Sequence, residues 1–158
     1  MKESRTIHKS GKGHAVVEVT LMLPWIFLLF IGVFDFGFYS YALISTEGAA
    51  RAGALYASSS WGAAGDGANV CFYVLQEMRM LPNVGSSTSC SCTGGSCTAG
   101  PIQITATPIS GTGCVEAVAG AKCTRVTVQY QTVQLFPIPG LGGQLTMRRV
   151  AEASVRGD

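Results

Sequence analysis

The sequence has little histidine, and none in the part of the chain that could form an outer domain. Both histidines, His8 and His14, come before or at the start of a long apolar stretch. Because Ser–His and Cys–His catalysis needs an imidazole beside the nucleophile, neither arrangement is expected in the folded domain. The carboxylates are also scattered, without the spacing of a paired acid and base or of a metal site. We therefore expect no enzyme and no cofactor; the scattered acids are Asp66, Glu77, Glu116 and Glu152.

Charge is also scarce, at 13% of residues, and it is unevenly distributed. Lys2, Arg5, Lys9 and Lys12 make the first 13 residues basic, whereas the rest of the chain has a slight excess of acids. This distribution lacks the electrostatic footprint of a nucleic-acid-binding protein. Lys and Arg beside a membrane segment stay on the cytoplasmic side, so we expect the leader in the cytoplasm and the remainder outside it.

What the sequence does have is an apolar run without a charged residue, from Val19 to Phe34. A run of this length would form roughly 24 Å of helix, close to the hydrocarbon core of a bilayer, which is about 30 Å thick. Glu18 and Asp35 would then lie near the two edges of that core. The helical pattern continues into alanine-rich sequence and predicts one helix from about His14 to Ser58, with its first half in lipid.

Several positions in this helix suit contact with neighbouring helices. Pro24 removes one backbone hydrogen bond and is expected to kink or loosen the helix. Small residues allow helices in a membrane to approach closely. We therefore expect Glu18, Pro24, Gly32 and Asp35 to belong to a subunit-packing surface. The alternative, which is sufficient for Gly32 alone, is that glycine and proline are simply commoner in membrane helices. Close helix–helix approach is also expected at Gly48, Ala49, Ala52 and Gly53.

Glu18 admits two interpretations that the sequence leaves about equal. A carboxylate placed fully inside a bilayer costs about 2.5–3.5 kcal/mol on insertion scales, so Glu18 could simply lie at the cytoplasmic headgroup level. Alternatively it could wait for a cationic partner. One such partner is the N-terminal amine of a neighbouring subunit that has been cut after Gly13.

The six cysteines all lie on the side of the apolar run that we expect outside the cytoplasm, where disulfides form. Six cysteines allow 15 complete pairings, so the pattern cannot be derived from spacing. Cys114 and Cys123 could close a short loop, whereas Cys90 and Cys92 are too close together to be natural partners. A metal site built on Cys90, Cys92 and Cys97 would lack a fourth ligand, which favours disulfides. The disulfide candidates are Cys71, Cys90, Cys92, Cys97, Cys114 and Cys123.

The region after the long helix is expected to be a small α+β domain. A glycine- and serine-rich break precedes a short amphipathic helix with Asn69 as its N-cap, ending at Pro82. Its apolar face predicts packing on a sheet. Residues 83–100 are rich in Ser, Thr, Gly and Cys and predict a loop held by disulfides, a spacer more than an adhesive tip. The helix face comprises Val70, Val74, Met78 and Leu81.

Alternation of apolar and polar residues predicts an antiparallel sheet of three or four strands in the last third of the chain. It begins at Ile102, recurs from Val126 to Tyr130, and resumes near Leu145. A change of parity predicts a bulge near Gln131–Thr132. Arg149 breaks the alternation of the last strand; with Arg148 it could attract an acidic partner, although exposed arginine pairs are more often a solvated face.

These features together resemble the N-terminal module of the TadE-like family, assembly proteins of tight-adherence (Flp) pili. That family combines a basic leader, a Gly–Glu processing motif, an apolar stretch with a proline, and a helix extension rich in Gly, Ala and Arg. The matching positions are Gly13, Glu18, Pro24, Asp35, Gly37 and the run from Ala49 to Ala57, within GHAVVEVTLMLPWIFLLFIGVFDFGFYSYALISTEGAARAGALYAS. Val19 departs from the family, which often has an aromatic residue after the glutamate.

The resemblance implies that a prepilin peptidase cuts between Gly13 and His14 on the cytoplasmic face. The mature protein would remain in the bacterial inner membrane as a single-pass pseudopilin, packed in the lipid bilayer against other pilin-like subunits and the pilus assembly machinery. The alternative is an uncleaved, signal-anchored surface protein that displays a disulfide-stapled binding or adhesion domain. Either way, we expect a leader over residues 1–13, a transmembrane and extended helix over 14–58, and an exoplasmic α+β domain over 59–158.

Overall fold

The computed structural model describes residues 12–86, 88–115, 120–133 and 144–156, with side chains from residue 16 onward. It begins with one long helix, α1 (Lys12–Ala57), which continues through Pro24 without interruption. A second helix, α2 (Trp61–Ala64), and a third, α3 (Gly67–Met78), follow. By its contacts the chain divides into two compact units, of which the first ends at Gly37 and the second begins at Phe38.

The two short helices are each capped by the residue before them. The Ser60 hydroxyl accepts a hydrogen bond from the Ala63 amide at 3.2 Å. Asp66 Oδ1 accepts one from the Asn69 amide, also at 3.2 Å. The expectation that Asn69 is the N-cap was therefore wrong. Asn69 lies inside the first turn of α3. The cap is Asp66, three positions earlier, whose side chain accepts the hydrogen bond of the otherwise unpaired Asn69 amide.

Five antiparallel strands form one sheet in the order of the chain, a meander. The fold class, a long helix followed by a short helix on a small disulfide-stapled antiparallel sheet, is confirmed. The two central pairings have a continuous register of nine residue pairs each. The strands are β1 (Ser91–Thr93), β2 (Ser96–Ala99), β3 (Ile102–Ser110), β4 (Lys122–Gln131) and β5 (Thr146–Ser154), with a 3₁₀ turn at Gly111–Gly113.

The prediction of three or four strands was wrong by one hairpin, which lies in the cysteine-rich segment. β1 and β2 pair with Cys92 opposite Cys97, around a turn in which Gly94 has a φ of 63°. Gly95 lies so close to the Ala106 carbonyl that a Cβ there would be only 2.4 Å from its oxygen. All three residues of β1 are exposed, so the segment lacks the apolar alternation by which a strand can be recognised.

The core of the second unit lies between one face of this sheet and the helices. β3 buries Ile102, Ile104 and Ala106, and β4 buries Val126 and Val128, as their alternation predicted. α3 buries Val70, Val74 and Met78, and Leu81 is buried just beyond its end. The helical share of the core also includes the alanine-rich end of α1, through Ala42, Ala49, Ala50, Ala54 and Ala57.

The predicted bulge at Gln131–Thr132 is not present. The ladder continues past the end of β4, since the Thr132 amide donates to the Leu145 carbonyl at 2.9 Å and the Leu145 amide donates to the Thr132 hydroxyl at 3.1 Å. Thr132 is fully buried and keeps the parity of β4. Because Thr132 is polar, the inward-facing position that it occupies looked like an outward-facing one in the sequence, and this suggested a change of parity. Leu135, which also suggested the change, lies outside the described residues.

Three disulfides staple the second unit and use all six cysteines. They join Cys71 to Cys90, Cys92 to Cys97, and Cys114 to Cys123. The first connects α3 to the segment before β1, the second bridges the β1–β2 hairpin, and the third closes the loop between β3 and β4. This last pairing is the one that proximity in the chain suggested.

Candidate assembly site on the apolar helix

The first part of α1 has an almost completely exposed apolar surface. Within residues 16–36, Phe36 is 74% exposed, Leu21 69% and Trp25 68%. Monomeric soluble proteins rarely expose contiguous apolar surface on this scale, so such a helix requires lipid or protein around it. By length and composition, Val16–Ala57 is able to cross a membrane. One N-terminal apolar helix is thus consistent with a membrane-anchored protein.

Glu18 lies on this surface with an exposed side chain, beside a shallow apolar groove formed with Val19, Met22, Leu23 and Ile26. Within the part of the chain that the structure describes, its carboxylate has no recorded ion pair or hydrogen bond. Gly13 and His14 lie on the first turn of α1, and the rise from Gly13 to Glu18 is about 7.5 Å along the axis. Among the described residues, Glu18 is the carboxylate nearest to the expected cut.

Pro24 lies one turn beyond Thr20 and weakens the helix locally. Because proline has no amide hydrogen, the Thr20 carbonyl cannot accept the usual hydrogen bond from position 24. The Thr20 hydroxyl itself donates to the Val16 carbonyl at 2.7 Å, which satisfies the threonine without a second helix.

Gly32 forms a notch in the apolar surface. A Cβ atom placed on it would meet no atom within 4 Å. The surrounding large side chains create a shallow groove whose floor is the glycine backbone, a shape into which a neighbouring helix can pack closely. The groove is lined by Trp25, Leu28, Leu29, Val33 and Phe36.

The four expected packing residues do not share one face of the helix. With about 100° per residue, Gly32 lies within about 40° of Glu18 around the axis. Pro24 and Asp35 lie close to each other in angle but about 100° or more away from Glu18. Asp35 is also only partly exposed, whereas Glu18 is exposed. The helix thus has a Glu18–Gly32 face and a Pro24–Asp35 face.

Residues 13–55 match the family model described as TadE-like protein. The resemblance found in the sequence is confirmed over this segment, which we name the TadE-like segment. It contains both faces of the apolar helix and most of the alanine-rich extension. No curated protein and no solved structure matches the chain.

The TadE-like segment ends before the first cysteine, Cys71, so the family match does not include the disulfide-stapled part of the chain. In the described residues, two clusters bring possible metal-ligating atoms within 4.8 Å: Cys71, Cys92 and Cys97, and a second one of Cys114, Cys123 and Glu152. Every sulfur in them belongs to a disulfide and cannot act as a thiolate ligand. The short distances between the sulfur atoms in these clusters are therefore explained by the disulfide bonds.

Two polar contacts that sequence reasoning missed anchor the sheet and helices. The Tyr130 hydroxyl donates to Asn83 Oδ1, and Asn83 Nδ2 donates to the Gln131 carbonyl at 2.9 Å. Burial raises the pKa of Tyr130 to about 12. In the other contact, hydrogen bonds from Asn69 hold the pKa of Asp66 below its ordinary value. Tyr130 and Asn83 lie far apart in the chain, so no local pattern predicts their contact. Asp66 and Asn69 are only three residues apart and form the capping pattern of α3.

Proposed function

We propose that this protein is a membrane-anchored minor pseudopilin that takes part in assembling a tight-adherence (Flp-type) pilus or a related secretion machine. The observation that carries the proposal is a TadE-like segment whose apolar helix is exposed on all sides and has one available carboxylate, Glu18, at its start. A segment of this family suggests association with a Tad pilus. The pseudopilin role is our finer assignment.

The proposed mechanism begins with insertion of α1 into the bacterial inner membrane, with the basic leader in the cytoplasm. A prepilin peptidase then cuts between Gly13 and His14 and creates a new, positively charged amine. In an assembly, Glu18 of one subunit pairs with this amine of its neighbour. Such a pair neutralises a carboxylate that would otherwise be costly in the bilayer, and it fixes the axial register between subunits.

Shape supports the same role. The Gly32 notch lies on the Glu18 side of the helix, so one neighbour could occupy the notch while its amine approaches the carboxylate. The second unit would then lie outside the cytoplasm, where its three disulfides are stable. We assign that unit a supporting role in the assembly and no catalytic activity.

The first test is the intact mass of the full chain extracted from membranes, with and without the candidate prepilin peptidase. We expect a protein that begins at His14 only when the peptidase is present. Gly13→Leu should block the cut, whereas the matched change Gly11→Leu should leave it intact. A chain that begins at Met1 in both strains would contradict the proposal and favour the uncleaved surface anchor.

The second test is Glu18→Ala, with Glu47→Ala as the matched control in the same helix. Loss of Glu18 should abolish pilus assembly while the protein remains in the membrane, because only the register-setting charge is gone. Glu47 pairs with Arg51 in its own helix, so its loss should leave assembly unchanged. If pili form normally without Glu18, the charge-pairing mechanism is wrong.

A further inference from the structure

Arg149 is the feature of the second unit that packing alone leaves unexplained. It lies on β5 opposite Val128, at a position whose neighbours along the strand, Met147 and Ala151, face the core. Its side chain is partly buried, and its Nε is buried with no hydrogen-bond partner. Among the described residues, the guanidinium donates one hydrogen bond, from Nη1 to the Arg148 carbonyl at 3.5 Å, which is the limit of such a contact.

The Arg148 carbonyl lies on the open edge of the sheet. β5 is the last strand and pairs only with β4 in the part of the chain that the structure describes. At the two ends of this pairing, the Thr132 amide donates to the Leu145 carbonyl and the Val155 amide donates to the Lys122 carbonyl. Hydrogen-bonded and non-hydrogen-bonded residue pairs alternate along an antiparallel ladder, so the odd-numbered residues of β5 are the ones hydrogen-bonded to β4. The backbone groups of Arg148, Val150 and Glu152 therefore point away from β4. Through its contact with the Arg148 carbonyl, the Arg149 guanidinium reaches this same edge.

The edge is also positively charged. Arg148 and Arg149 have no carboxylate partner within the described residues. The one acid on the strand, Glu152, is held by Arg125 on the neighbouring strand at 3.1 Å and accepts a hydrogen bond from the Val115 amide at 2.7 Å. A partner at this edge would thus meet unpaired backbone groups together with an arginine whose Nε lacks an acceptor.

We propose that the open edge of β5 binds an extended segment of a different protein, which pairs with the strand backbone and places a carboxylate on Arg149. Strand addition of this kind takes its affinity from main-chain hydrogen bonds and its specificity from side-chain contacts. A guanidinium binds a carboxylate through two parallel hydrogen bonds, which would satisfy the buried Nε. A second copy of the chain would bring its own Arg148 and Arg149 to the edge, so an acidic partner fits better.

This proposal does not depend on the pseudopilin assignment, and its test uses neither pili nor the peptidase. The full chain in detergent micelles is titrated against a short fluorescent probe peptide of alternating threonine and valine with one central glutamate. A second probe has glutamine in its place. We expect the glutamate probe to bind at least about tenfold more tightly, as a charge-assisted bidentate contact allows. Methylation of the probe's backbone amides should abolish binding of both.

Arg149→Gln should remove the difference between the two probes, whereas Arg148→Gln, on the other face of the same strand, should retain most of it. Should Arg149→Gln fail to fold, the ¹⁵Nε–H resonance of Arg149 in the wild-type chain gives the answer. It should shift with the glutamate probe and stay unchanged with the glutamine probe.

Three results would overturn the proposal. The first is equal binding of the two probes to the wild-type chain, or binding of neither. The second is a glutamate preference that survives in Arg149→Gln. The third is self-association or stronger glutamine-probe binding in Arg149→Gln, because the arginine would then act as an inward charge that guards the edge against pairing.

Discussion

The two halves of α1 form one continuous helix, yet their surroundings differ. Residues 16–37 present large apolar side chains outward, such as Phe36 and Leu21, at 74% and 69% exposure. In residues 38–57, alanines are buried against the sheet and α3, for example Ala49 and Ala57, both with no exposed surface. Local helix propensity explains the continuity. Side-chain size and exposure distinguish the halves: the first leaves large apolar side chains uncovered, whereas the second packs into this protein's own core.

The two halves also differ in what stabilises them. The first half has no disulfide and no tertiary core, so it depends on its surroundings. The second half belongs to a unit with three covalent staples and a buried polar contact between Tyr130 and Asn83. Changes in the second unit should therefore alter its own stability, measurable in micelles, and leave the helicity of the first half unchanged.

The largest effect is expected from Cys71→Ser with Cys90→Ser. This bridge spans 19 residues, so chain-entropy arguments give a loss of about 3 kcal/mol in the free energy of unfolding. The matched double change, Cys92→Ser with Cys97→Ser, opens a span of 5 residues and should cost about 2 kcal/mol. Denaturant unfolding of the full chain, followed by near-ultraviolet circular dichroism, measures both. A greater loss from the shorter bridge would contradict this order.

Next comes Gly53→Leu, which inserts a large side chain where the second unit is tightly packed. A Cβ at Gly53 would already lie 3.1 Å from Val74 Cγ2, 3.2 Å from Val70 Cγ1 and 3.3 Å from Val126 Cγ1. We expect overpacking to lower the free energy of unfolding by about 2 kcal/mol. Gly32→Leu is the matched control, since no atom lies within 4 Å of its Cβ position. It should leave the stability of the second unit unchanged and impair contact with other helices.

Gly53 shows where sequence reasoning reached its limit. Its small size predicted a close helix–helix approach, and the sequence did not specify which helix would be the partner. The structure shows that its neighbours are Val70 and Val74 of the same chain. A helical period identifies an apolar face, and glycine identifies a close contact, but neither specifies the partner.

The other helices and strands could be predicted where apolar residues repeat with the period of the element. The alternation of Ile102, Ile104 and Ala106 predicted β3, and the apolar run predicted α1, because burial repeats with the period of each element. In the β1–β2 hairpin only β2 alternates, and it does so through Cys97 and Ala99, whereas every residue of β1 is exposed. The hairpin is instead stabilised by a disulfide and by pairing with β3. The edge position of Arg149 likewise depends on strand order, which the sequence does not contain.

The stability of the second unit should also depend on pH, through Tyr130. The pKa of Tyr130 is raised to about 12 in the folded chain, whereas an unfolded tyrosine ionises near pH 10. Between these values the unfolded state has lost the proton and the folded state retains it, so stability falls as the pH rises from about 10 to 12. Tyr130→Phe should flatten the stability profile in this window.

The smallest effect is expected at the start of α3. Asp66→Ala removes the acceptor for the Asn69 amide and should lower the free energy of unfolding by about 1 kcal/mol, as for other N-caps. Asn69→Ala keeps that capped amide and loses only the Nδ2 contact to Asp66, so it should cost less. Because the pKa of Asp66 is lowered by its hydrogen bonds, its contribution is present above the unfolded pKa and is lost as the pH falls through the folded one. The acid limb of the stability profile should therefore flatten in Asp66→Ala. If Asn69→Ala costs more than Asp66→Ala, the cap is not the main stabilising contact of this turn.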